Sequence, residues 1–267
     1  IGKVDWLIVD HYALDQQWES RLRSWVDRIM VIDDIADRSH DCDLLLDQNL
    51  FFDAESRYDG LVPDSCMRLL GPDYAMLQSD YAGLRDQARV RSGKIGRVLI
   101  YFGGFKEEGL TLLSTLNLLE AGGPDLQVDV VVSKSHPDYM NLQELAAASG
   151  RCSIHSQFPS LAPLMLKADL AIGAGGSTSW ERCCLGVPAL VVPLSENQRL
   201  ISQGLQAGGY VQVIGDVEDN DHSTLIERLE SVLSSSIDPA WSEHCLSLVD
   251  GLGAYRVANS LGLNIEH

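Results

Sequence analysis

Cations are scarce in this chain. Lys and Arg number 20 against 38 Asp and Glu, for a formal net charge of −18. That balance argues against a nucleic-acid binder, which needs clustered Lys and Arg over phosphates. It argues equally against an anionic membrane surface. Long apolar runs are missing as well: no stretch reaches the roughly 18 residues of a spanning helix. Six cysteines occur, Cys42, Cys66, Cys152, Cys183, Cys184 and Cys245, but none forms a C-x-x-C pair. Reduced, mostly buried thiols in a cytoplasmic protein are the expectation. The N-terminus has no signal peptide and no initiator Met, and it reads as cut from something longer. The glycine turn at Gly173–Gly176 is not spaced G-x-G-x-x-G and no Lys follows it, so it supports neither a dinucleotide fingerprint nor a Walker loop.

What remains is a chain able to fold. Hydrophobic residues make up 45% of its 267 positions, enough for a real core and for one large or two medium domains. The most informative run is Ala168 to Gln198. It opens with a strand-length apolar piece, Asp169 to Ile172. A glycine turn follows, Gly173-Ala174-Gly175-Gly176-Ser177-Thr178, and then a helix-like segment, Ser179 to Leu185. A strand, a glycine turn and a helix start build an anion site from free N–H groups and the helix dipole. Glu181 lies one turn further in, placed to accept from hydroxyls such as a ribose diol. Asn197 and Gln198 follow the next strand, Ala189 to Val192, and can reach the same crevice. A plainer reading stands beside this one: Thr178-Ser179-Trp180-Glu181 also matches a capping box.

Along the rest of the chain, strands alternate with helices, which implies parallel sheets covered on both faces. Val4–Val9 and Ile29–Ile32 read as strands, Asp43–Leu46 as a short strand or turn and Met67–Gly71 as a short apolar piece, with helices at Asp15–Val26 and Tyr74–Ala88. Residues 90–96 read as a linker. Strands at Val98–Phe102, Leu126–Ser133, Cys152–His155 and Tyr210–Ile214 alternate with helices after it, including Glu107–Leu119. The expected fold is α/β, with two Rossmann-like doubly wound domains, the first incomplete. Residues 1–92 would form the first domain and 93–240 the second, nucleotide-binding one. Residues 241–267 would be a helical segment packing back on the first. Ligands of such sheets sit at the carboxyl ends of strands. There the turns at Gly103-Gly104 and Gly175-Gly176 are expected, together with Asp10-His11-Tyr12.

Several motifs along the chain carry a family resemblance. They are Asp10-His11-Tyr12 with Asp15 and Trp18-Glu19, Val31 to Asn49, Leu70 to Leu77, Tyr101 to Gly104, Ala168 to Gln198, and Asp250 to Ala258. With them the chain resembles the UDP-2,4-diacetamido-2,4,6-trideoxy-β-L-altropyranose hydrolases of pseudaminic acid biosynthesis. These are relatives of GT-B nucleotide-sugar transferases, including the N-acetylglucosaminyl transferase that makes lipid II. The resemblance implies a UDP-sugar ligand with its diphosphate at Gly175, Gly176 and Ser177. Glu181 would then hold the ribose, and Asn197 and Gln198 the sugar or its phosphate. It implies attack of water at the anomeric carbon with inversion, without metal or other cofactor. Two departures stand out. The family's G-x-G-H-x-x-R segment, source of its catalytic base, is not in this sequence. The family's FGGSD reads Phe102-Gly103-Gly104-Phe105-Lys106 here. A transferase of the same fold and a non-catalytic UDP-sugar-binding module remain the alternatives; the sequence leaves protein partners open.

His11 is the candidate substitute base, since a histidine near neutral pKa can serve. Asp33 and Asp34 are expected to cap the following segment and hold Arg38. His40, Asp41 and Asp43 read as solvated loop rather than metal ligands. Trp180 reads as packing beneath the glycine turn rather than as a stacking platform.

Overall fold

A computed structural model of the chain describes residues 2–103, 107, 109–156, 159–216 and 223–263. The chain forms two compact units, residues 1–77 with 251–267 and residues 78–250.

The first unit is built on β1 (Val4–Val9), β2 (Val26–Ile32), β3 (Leu44–Asp47) and β4 (Met67–Leu70). All pair in parallel, in that order across the sheet. Helix α1 (Gln16–Leu22) follows β1. Asp15 starts it by accepting from the N–H groups of Gln17 and Trp18 at 3.0 and 3.2 Å, donors that a helix start leaves open. The helix stops short of the expected Val26. Val26 and Arg28 pair with Val4 and Trp6 instead, so ladder bonds to β1 win over the helical pattern.

The second unit begins with α2 (Ser79–Leu84). Its strands are β5 (Arg97–Tyr101), β6 (Gln127–Val131), β7 (Cys152–His155), β8 (Leu170–Ala174), β9 (Ala189–Val192) and β10 (Val211–Val213). Between and after them run α3 (Leu110–Ala121), α4 (Tyr139–Ser149), α5 (Ala162–Lys167), α6 (Thr178–Cys184), α7 (Glu196–Ala207), α8 (Ser223–Leu233) and α9 (Pro239–Leu248). The sheet is parallel, in the order β10-β9-β8-β5-β6-β7. The chain thus runs outward from β5 to β7 and then returns to lay β8 on the other side of β5. That reversal is the doubly wound Rossmann order, and its switch point lies between β5 and β8. Val98, Ile100, Val128, Val130, Ile172, Leu190 and Val192 pack there with Leu110, Leu118, Leu225 and Leu229 from the helices.

The last helix, α10 (Gly253–Ser260), belongs to the first unit. Its Val257, with Leu261, covers Met30, Leu44, Leu46 and Leu69 on one sheet face. The approach is close: a Cβ on Gly253 would stand 2.3 Å from the Ala75 carbonyl oxygen.

Three expectations are corrected. Residues 78–92 pack in the second unit, not the first. Tyr81 is buried there, and Arg91 donates to the carbonyls of Met165, Ala168 and Leu185. Tyr74–Ala88 is no single helix. Ala75 turns extended (ψ 116°), and the Met76 N–H donates to the Gln48 side chain, so helix resumes only at Ser79. Residues 241–267 do not form one segment on the first unit. Gly251 adopts φ +87°, and α9, before it, stays in the second unit, where the Ser242 hydroxyl donates to the Gly186 carbonyl at 2.6 Å. All six cysteines are free. Among the described residues no helix is long and apolar enough to cross a membrane.

Candidate functional site

At the switch point Tyr101 of β5 pairs with Gly173 of β8, and the chain leaves both strands in glycine turns. Gly103 has φ +87°, a conformation that excludes most side chains. Gly104, Phe105 and Lys106 lie outside the described residues. The second turn, Gly175 to Thr178, is shaped by contact. A Cβ on Gly175 would meet the Ser202 hydroxyl oxygen at 1.9 Å, whereas one on Gly176 would meet only the tip of Gln198, at 3.3 Å. The backbone N–H groups of Gly175, Gly176, Ser177 and Thr178 donate to no acceptor among the described residues. Consecutive N–H groups left open at a strand–helix turn form a concave donor set for an anion.

The capping box is not formed. The residue preceding α6 is Ser177, in helical conformation and without a side-chain bond to the helix start. Glu181 accepts no hydrogen bond from a backbone N–H among the described residues. Burial pushes its carboxyl above the ordinary range, while the Tyr81 hydroxyl and the Arg182 guanidinium oppose part of that rise. The buried Tyr81 hydroxyl faces Glu181 without meeting it in good hydrogen-bond geometry. Glu181 is thus an ionisable acceptor with capacity beyond its contact with Tyr81. Trp180 is completely buried and offers no stacking face.

Helix α7 brings Gln198 to the turn. Its Oε1 accepts from the Leu194 N–H at 3.0 Å, which leaves the Nε2 end against Gly176. Asn197, half-buried beside it, accepts from the Ser195 hydroxyl at 2.5 Å. Sequence reasoning missed Arg182. This side chain is 1% exposed and lies under the turn, donating to the Ala174 carbonyl at 2.6 Å and the Ser179 hydroxyl at 2.9 Å. Burial pushes its guanidinium down to about 10. An arginine at the fifth position of a short helix, directly after Glu181 and before two cysteines, carries no sequence signal of its own.

Asp10, His11 and Tyr12 belong to the first unit, at the carboxyl end of β1, and all three are exposed. The Ala13 N–H donates to His11 Nδ1 at 3.0 Å. Neutral His11 therefore carries its proton on Nε2 and presents a donor there, not the free lone pair that a base needs. The Tyr12 hydroxyl reaches Asp34 at 3.4 Å. At the ends of β2 and β3 sits a buried polar network. Asp33 accepts from the Ala36 N–H at 2.8 Å and lies 2.9 Å from Arg38. The Tyr58 hydroxyl bridges Asp33 and Asp47, at 3.2 and 3.0 Å. Burial pushes the Asp47 carboxyl up to about 6, against the hydrogen bonds from Asn49 and Tyr58. His40 is no solvated loop residue. It is 1% exposed and pairs through Nδ1 with buried Glu19 at 2.7 Å, because a buried polar ring nitrogen needs a partner. Asp41 and Asp43 hold Arg23 instead. No group of three His, Cys, Asp or Glu among the described residues is arranged to hold a metal ion.

The architecture is that of the GT-B class, α/β with two Rossmann-like domains. Acinetobacter baumannii MurG superposes with a TM-score of 0.60 at 15% identity, over 97% of this chain and 73% of that one. The spinosyn rhamnosyltransferase SpnG gives 0.58 at 17% identity, over 92% and 75%. Within that class the sequence is similar to the UDP-2,4-diacetamido-2,4,6-trideoxy-beta-L-altropyranose hydrolase of Campylobacter jejuni, 26% identical over 78% of this chain and 73% of the hydrolase. It is similar too to the Bacillus subtilis spore coat polysaccharide biosynthesis protein SpsG, 26% identical over 70% of this chain and 56% of SpsG. An uncharacterized Methanocaldococcus jannaschii protein, MJ1062, is 23% identical over 74% of this chain, which spans 42% of its length. No family model matches the chain.

Proposed function

We propose that the second unit binds the UDP moiety of a nucleotide sugar, and that the protein releases UDP by hydrolysis at the anomeric carbon. The substrate class is a UDP-linked diacetamido-trideoxy sugar, by similarity to the Campylobacter jejuni hydrolase. One observation carries the reading: the N–H groups of Gly175 to Thr178 stay open among the described residues at the sheet's switch point, a donor set that suits a diphosphate. Glu181 would take the ribose hydroxyls, and Gln198 Nε2 with Asn197 a phosphate or the sugar. Asp10, Tyr12, Gly103 and Gly104 are further candidate substrate contacts, each within its own unit. His11 is assigned to the reaction as a donor through Nε2, in keeping with its bond from Ala13. Transfer to an acceptor other than water is the second reading; the SpsG relative is named for polysaccharide biosynthesis, in which sugars are joined to acceptors.

Calorimetry with UDP tests the binding half. Gly176→Ala leaves the fold intact, since its Cβ meets only a flexible side-chain tip, and lowers UDP affinity about tenfold or more. Unchanged affinity would sink the diphosphate assignment. Product analysis tests the other half: free sugar and UDP support hydrolysis, and UDP released only with an added acceptor supports transfer. Turnover that survives His11→Ala removes His11 from the reaction.

A further inference from the structure

We propose that Arg182 is the fixed positive charge of the diphosphate site, a positioning residue that acts through the turn above it. The inference rests on the UDP reading just given. The second unit buries two arginines whole, Arg91 and Arg182. Arg91 is spent on structure: its guanidinium donates to the carbonyls of Arg89, Met165, Ala168 and Leu185. Arg182 is not. Only its Nη2 is used, on Ala174 and Ser179. Its Nε is buried with no partner. Its Nη1, 3.3 Å from where a Cβ on Gly173 would stand, donates to nothing among the described residues. Among the described residues no carboxylate hydrogen-bonds to it. Glu181, directly before it, acts on it through space and not through a hydrogen bond.

A cation buried with unspent donors is costly, and a neutral side chain of similar volume would cost less. Its position suggests a use. The peptide group is planar and trans, so a carbonyl and the N–H that follows it point opposite ways. By drawing the Ala174 carbonyl inward, Arg182 turns the Gly175 N–H outward, the first of the open donors. The guanidinium charge then lies behind those donors, in a low-dielectric setting where it acts strongly. The turn itself, residues 173–180, carries no cation, and the chain's net charge of −18 repels anions. A second buried group flanks the turn from α7: the Ser202 hydroxyl, also without a partner, touches Gly175.

The test compares ligands that differ in charge, because a merely structural role would weaken all alike. UDP, UMP and uridine are titrated by calorimetry into the full chain, its Arg182→Met variant and its Arg182→Lys variant. Arg182→Met should lose about tenfold or more for UDP, less for UMP, and stay within about twofold for uridine. Arg182→Lys keeps the charge and should hold UDP within about threefold. Equal losses for all three ligands would overturn the inference, as would unchanged UDP binding in Arg182→Met. So would a lysine variant as weak as the methionine one. If Arg182→Met does not fold, the lysine variant decides: UDP kept within about threefold supports the assignment, and a loss of about tenfold confined to UDP and UMP overturns it. A wild-type chain that binds uridine and UDP equally, or neither, refutes the diphosphate reading itself, and does so before any substitution is made.

Discussion

Glu181 occupies the fourth position of a Thr-x-x-Glu pattern, yet its carboxylate accepts nothing from the backbone of α6. Two outcomes separate a ligand role from a structural one. A capping carboxylate stabilises its helix, and losing it costs about 0.5–2 kcal/mol. Glu181 instead pays for burial, since its carboxyl is pushed up. A raised carboxyl favours the protonated fold, so stability falls as pH rises through its folded pKa. Glu181→Gln should therefore melt at the same temperature as the parent or higher at neutral pH. UDP affinity should drop in that variant, because the amide replaces one acceptor oxygen with a donor. In the parent, UDP affinity should fall on acidification, starting above the ordinary carboxylate range, and in Glu181→Gln that pH dependence should flatten. A variant that melts lower and binds UDP normally would return Glu181 to the helix.

At the scale of elements, the alternation of strands and helices in the second unit is legible in the sequence because its central strands β5, β8 and β9 carry continuous apolar stretches. β8, for instance, is buried along its whole length. The glycine turn is legible for the same reason: nothing else separates β8 from α6. The path of residues 74–92 was not legible, because it is set by distant partners, Gln48 for the Met76 N–H and the carbonyls around Arg91. The same holds for His40, whose partner Glu19 lies on α1. The network at the ends of β2 and β3 makes its own prediction. Asp47 ionises only near pH 6 in the fold, above its ordinary value of 3.8. The folded state thus holds a proton that the unfolded chain releases, so this group's contribution to stability is lost as pH rises from about 4 to about 6, by roughly 1–3 kcal/mol. Asp47→Asn keeps a neutral side chain throughout, and its melting temperature should decline less across that window than the parent's. Parallel pH profiles would show that Asp47 is ionised in the fold from the start.

For the molecule as a whole, the first unit is closed by a segment from the far end of the sequence. Val257 and Leu261 cover a sheet face made of Met30, Leu44, Leu46 and Leu69. Trp6 Nε1 donates to the Leu261 carbonyl at 3.0 Å, and Arg256 to the Asp73 carbonyl at 2.8 Å. Seating α10 depends on Gly253, where any Cβ would run into the backbone of Tyr74 and Ala75. Backbone cannot give way as a side-chain tip can, so Gly253→Val should lift the helix and uncover that apolar face, at a cost of about 1–3 kcal/mol or more. The open turn, Glu181 and Gln198 all belong to the other unit. Two units with separate cores need not unfold in one step, and a ligand stabilises only the unit that holds it. Calorimetric melts of Gly253→Val should show one transition lowered, with the second near its parental temperature. Added UDP should raise that second transition and leave UDP affinity at 25 °C within about twofold of the parent. A loss of UDP affinity in step with the lowered transition would show that the nucleotide site depends on the first unit being folded.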